Sequence, residues 1–136
     1  MAINYNSKED IGYLFTALRE CCGVDSKAVF KIKDLHSAGS YDGIEIMASD
    51  TNNVTKPSQS DLEAKFETVK SRENFSKLRK IRNKLLQESD WSQGGDVPDT
   101  TKTKWQTYRQ TLRDLPANQT PSDWFLTNIT WPTKPN

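Results

Sequence analysis

Arg109 and Arg113 stand four residues apart, downstream of Asp90 and Asp96, with Trp91, Trp105 and Tyr108 interleaved. A planar guanidinium grips a carboxylate through two hydrogen bonds while lying against an aromatic ring. The spacing therefore predicts an ion pair of Asp90 or Asp96 with Arg109 or Arg113, under a lid of Trp91. Such a pair fixes a loop and catalyses nothing. Reactive chemistry finds little else to use. His36 is the single histidine, in a turn-prone stretch with no assignable partner. Cys21 and Cys22 are adjacent, where ordinary disulfide geometry is strained. With one histidine they fall short of a four-ligand zinc site unless several carboxylates join them. No nucleophile elbow and no phosphate loop ending in Gly-Lys-Ser/Thr occurs, and Asp96 after Gly94-Gly95 has the wrong sign for a phosphate cradle. Asp50, Asn52 and Asn53 hint at a calcium loop, but Thr55 stands where that loop needs glycine. We expect no enzyme here, and no catalytic residue, metal or cofactor.

Charge carries the next question. Lys77, Arg79, Lys80, Arg82 and Lys84 put five positive charges in eight residues without an acid between them. That run is the best case for nucleic acid. On a helix, however, the charges spread around the circumference while Leu78, Ile81 and Leu85 claim the remaining face. A solvated face with one or two arginines turned inward to pair is the expectation, and nucleic-acid binding is the weaker alternative. Globally, 19 basic and 18 acidic residues leave a net charge of +1, so no long-range field selects polyanions or membranes. No apolar run approaches the roughly 18 residues of a membrane span. Met1 to Asn6 shows no basic start followed by an apolar run, so no secretory signal is expected.

These residues need elements to position them. Ile11, Leu14, Phe15, Leu18 and Cys22 give an apolar stripe over residues 8–22, capped by Ser7 and stopped by Gly23. Residues 28–34 and 43–48 alternate in hydropathy, which predicts two strands. Residues 49–59 hold one apolar side chain and read as a linker. Residues 60–88 predict one long helix with Ser60 and Glu63 as a capping box. Its stripe (Leu62, Phe66, Val69, Phe75, Leu78, Ile81, Leu85) breaks at Arg72 and Glu73, as in helices that pack on two surfaces. A second helix from about Thr100 carries Trp105, Tyr108, Leu112 and Leu115 on one face, with Trp105 expected in the core and Pro116 as its stop. The proline-flanked tail holds Trp124, Phe125, Leu126, Ile129 and Trp131, too many large apolar groups to leave in water. Trp124, Phe125 and Trp131 are the candidate partner contacts. The expected fold class is α+β, mainly helical: an N-terminal helix and β-hairpin lobe over 1–48, a linker over 49–59, and an α-hairpin with an extended tail over 60–136.

One stretch is also familiar as a whole. Arg79, Arg82, Leu85, Leu86, Ser89-Asp90-Trp91-Ser92-Gln93, Asp96, Pro98, Trp105, Tyr108-Arg109-Gln110, Leu112-Arg113-Asp114-Leu115-Pro116 and Trp131-Pro132 follow in order. Over residues 76–134 the chain resembles the phage tail assembly chaperone family, whose small domain stands alone or ends a larger tail protein. The resemblance implies work on a phage tail or its fibres through protein contacts. Partners would be tail, baseplate, neck or fibre proteins, or a second copy of the chain. The reading is a structural or assembly protein of the virion tail region, put together in the host cytoplasm. A transient assembly chaperone absent from the finished particle is the alternative, and a nucleic-acid-binding phage protein the second alternative.

Overall fold

Ser7 begins the first helix by accepting a hydrogen bond from the Asp10 amide at 3.3 Å. In a computed structural model that describes residues 3–23, 31–32, 39–47 and 55–136, this helix, α1, spans Lys8–Cys21. Gly23 follows at φ +88°, a left-handed conformation that glycine adopts without steric cost. Leu14, Ala17 and Leu18 are fully buried and Tyr13 nearly so, while Phe15 is 41% exposed. The buried face is thus rotated from the expected stripe. Phe15 follows Leu14 directly, about 100° around the helix, and that angle carries it out of the core.

The chain divides into two compact units, Met1–Lys70 and Ser71–Asn136. In the first, α1 packs its apolar face with Ile3, Ile44, Leu62, Phe66 and Val69. Tyr13 meets Phe66 edge-on at 6.1 Å, and Lys70 reaches Asp10 at 3.9 Å. The α+β expectation with its β-hairpin lobe is overturned, because the fold is helical. Strand pairing among the described residues is confined to Lys31–Ile32 (β1) and Ile46–Met47 (β2), antiparallel, with Lys31 opposite Met47 and Ile32 opposite Ile46. A pair this short is marginal by itself. Its neighbourhood folds otherwise: Tyr41–Gly43 tightens into a 3₁₀ turn, closed by Gly43 N–H to Ser40 O and Ile44 N–H to Tyr41 O, both at 3.1 Å. Ile44 enters the core from that turn and not from a strand. Residues 28–30, 33–34 and 48 of the two expected strands, with His36 and most of the expected linker, lie outside the described residues.

The second helix, α2, runs Gln59–Glu88. Its cap is Ser58 and not Ser60: the Ser58 hydroxyl accepts from the Asp61 amide at 3.2 Å, and its carbonyl accepts from Leu62 N–H at 2.9 Å. Leu62, Phe66 and Val69 serve the first core, whereas Phe75, Leu78 and Ile81 serve the second. The polar break at Arg72 and Glu73 falls beside the division between the units. The helix α3, Asp99–Asn118, buries Tyr108, Arg109, Leu112 and Leu115. Pro116 does not end it. The ring lies in the last turn, and the helix closes two residues later with Gln119 N–H on Leu115 O at 2.9 Å. Near a C-terminus the missing amide costs one bond and leaves few turns beyond it to disturb. Leu78 and Leu115 form the second core with Leu126 and Ile129 of the tail.

Candidate functional site

The C-terminal end of α2 leaves carbonyls without helical partners, and negative charge there is unfavourable. Both problems meet at Arg109, which α3 carries into the second unit with only 8% exposure. Its Nη1 donates to Leu86 O at 2.6 Å and to Ser89 Oγ at 2.8 Å. Its Nη2 meets Asp90 Oδ1 at 2.9 Å. Ser89 is itself fully buried and donates to the Leu85 and Leu86 carbonyls, at 3.0 and 2.9 Å. Ser92, also fully buried, donates to Ser89 O at 2.6 Å from the 3₁₀ turn Asp90–Gln93. One cation therefore caps α2, pairs with the acid beyond it and ties both to α3.

The other motif residues stand around this clasp. Trp91 is 57% exposed and meets Trp105 edge-on at 5.2 Å, and Trp105 meets Tyr108 at 5.5 Å. Trp105 is half-buried, so the three rings form a ladder at the surface and not the centre of the core. Arg113, Asp96 and Pro98 are exposed, with Pro98 at the start of α3. Arg79 lies over the Phe75 ring at 5.3 Å, and Arg82 bonds its neighbour Asn83 at 3.0 and 3.1 Å. Both arginines stay on the α2 surface, and the inward guanidinium is Arg109. Sequence reasoning placed Ser89 and Ser92 in the motif but gave them no role. The signal was a serine directly after an amphipathic helix and a second in the turn that follows, where hydroxyls can satisfy orphan carbonyls.

Two side-chain amides pin the tail. Gln119 donates to Thr130 O at 2.9 Å and accepts from Thr130 N–H at 2.7 Å. Asn128 donates to Thr120 O at 2.7 Å and accepts from Ser122 N–H at 3.0 Å. Between them the Asp123 carboxylate accepts from the Thr127 hydroxyl and amide. The hydroxyl bond holds Asp123 below its ordinary value of 3.8. Leu126 is buried at φ +57°, an uncommon conformation for a residue with a side chain. Trp131 is half-buried against the second core, Trp124 is 39% exposed, and Phe125 is 74% exposed. Lys77 Nζ sits 4.4 Å from the Trp124 ring centre and 5.6 Å from that of Phe125.

The thiols of the first unit are half-buried and free of each other. Burial pushes both Cys21 and Cys22 up, away from the reactive thiolate. Among the described residues, no group of three His, Cys, Asp or Glu could hold a metal, and no helix is long and apolar enough to cross a membrane. No curated protein and no solved structure matches the chain. A family model does match, and it begins within α2 and takes in the Arg109 clasp, the aromatic ladder and the pinned tail. Residues 75–136 match the phage tail assembly chaperone protein family.

Proposed function

We propose that the chain works in phage tail assembly as a chaperone, holding a tail protein through protein contacts and doing no chemistry of its own. One observation carries this: the family match at 75–136 falls on one compact unit, Ser71–Asn136. That unit has its own core, its own clasp and a pinned tail. Action by contact is supported by the exposed Trp91, Trp124 and Phe125, since large aromatics are over-represented among interface anchors. The family is described by assembly, so transient association is preferred to a permanent place in the tail, baseplate, neck or fibre region.

Infection with the gene interrupted by a stop codon, followed by mass spectrometry of tail precursors and purified particles, tests the reading. We expect tails to be missing without the protein, and the wild-type chain to travel with precursors and be absent from finished virions. Normal tails in its absence would overturn the assembly role. A fixed copy number in the finished particle would replace the chaperone with a structural subunit.

A further inference from the structure

We propose that the surface formed by Trp124, Phe125 and the lysine row of α2 receives an acidic segment of a tail protein that carries one large apolar side chain. The inference rests on the assembly reading for the source of that segment. Lys77, Lys80 and Lys84 recur at steps of three and four, which sets them on one face of α2. With Ile81 and Trp124 they line a groove of about 510 Å³. Ligand-sized clefts start at roughly 300 Å³, so the groove has room for a tryptophan- or phenylalanine-sized group. Glu73 is the acid in its lining, against three lysines.

The aromatic wall is held in place by the turn that presents it. Leu126 goes inward at φ +57° while Phe125 beside it stays 74% exposed. Backbone conformations of this kind persist where surrounding structure over-determines them, and they gather at ligand clamps. Here the surroundings are the Asp123–Thr127 bonds and the two amide clamps. An ordered turn therefore keeps a phenyl ring in water beside a cation that already lies over two aromatic faces.

Charge selects the occupant. Carboxylates complement the three lysines. A second copy docking face to face would set lysines against lysines. Polyanion affinity grows with the number of phosphates neutralised, and this row is short and flanked by acids: Glu73 lines the groove and Glu88 approaches Lys84 at 4.0 Å.

The test uses the full chain against overlapping peptides that tile the tail proteins of its phage, with a duplex DNA oligonucleotide alongside. Phe125→Ala and the double variant Lys80→Glu/Lys84→Glu change exposed positions, and unchanged melting confirms that they fold. We expect the bound peptides to be acidic with a large apolar residue, and each variant to weaken them about tenfold or more. Replacing the peptide's acids by lysine should restore binding to the charge-reversed protein. Equal binding by wild type and variants would overturn the proposal. So would DNA bound in place of peptides, or self-association abolished by Phe125→Ala. Copurification with intact tail proteins separates the two readings. A tail protein retained by wild type and variants alike sinks the surface and keeps the assembly role, whereas none retained by wild type sinks both.

Discussion

Removing the Arg109 side chain strips the buried Ser89 hydroxyl of its charged donor and the Leu86 carbonyl of one donor beside those from Ser89, whereas the Asp90 carboxylate it also meets is 63% exposed. Buried hydrogen bonds to a charged group outweigh a solvated ion pair. Arg109→Met should therefore cost about 2–3 kcal/mol in urea unfolding. Asp90→Asn should cost less than about 1 kcal/mol. Equal losses would mean that the ion pair, and not the cap, holds the loop. The guanidinium and its acid were legible as residue types at a suitable spacing. The serines between them were not, because their role depends on which carbonyls the helix leaves unpaired. Two titrations belong at this scale. Burial raises the Cys21 and Cys22 thiols, so at neutral pH they should react with a disulfide reagent more slowly than free cysteine. Asp123 is depressed by its Thr127 bonds, so its contribution is present above the ordinary 3.8 and fades as pH falls through the folded value. The Thr127 amide resonance should follow that loss on acidification, and Asp123→Asn should remove the response.

Caps and faces decide matters for the elements. Ser58→Ala should cost about 1 kcal/mol and Ser60→Ala close to nothing, since only Ser58 accepts from the first turn of α2. The reverse order, read by thermal melting, would restore the capping box that the sequence suggested. Serines at 58 and 60 offer the same chemistry, and only the backbone path into the helix distinguishes them. Burial ranks α3 in a similar way. Leu112 is fully buried, so Leu112→Ala should cost about 2–5 kcal/mol, and more than Trp105→Ala. Trp105 is half-buried and keeps its ladder with Trp91 and Tyr108 at the surface. A larger loss for Trp105 would show that the ladder, and not the leucine face, organises the helix. The helices were legible because their stripes are long. The lobe was misread because six or seven alternating residues fit a strand equally well whether or not a partner strand is long enough to use them. Ile44 is the instructive case: it is apolar and buried, but a 3₁₀ turn and not a strand delivers it.

At the scale of the whole molecule, each core draws on its own stretch of α2. Phe66 lies in the first and Leu78 in the second, and the two clusters share no residue. Phe66→Ala and Leu78→Ala should therefore lower stability additively, to within about 0.5 kcal/mol in the double variant. A larger coupling would show that the two cores share strain along the helix. The break at Arg72 and Glu73 made two packing surfaces legible, but the position of the division was not, since the polar stretch at 49–59 drew attention away from a helix interior. That interior bears on modularity. The family match begins at residue 75, the compact unit at Ser71 and the helix at Gln59. A graft that moved residues 75–136 alone onto another protein would open in mid-helix, with uncapped amides and no Ser58. An acceptor already ending in helix could lend those turns simply by continuing its own register. A flexible acceptor would have to bring a cap of its own. The seam is therefore tolerant of what precedes it, provided that what precedes it is helical.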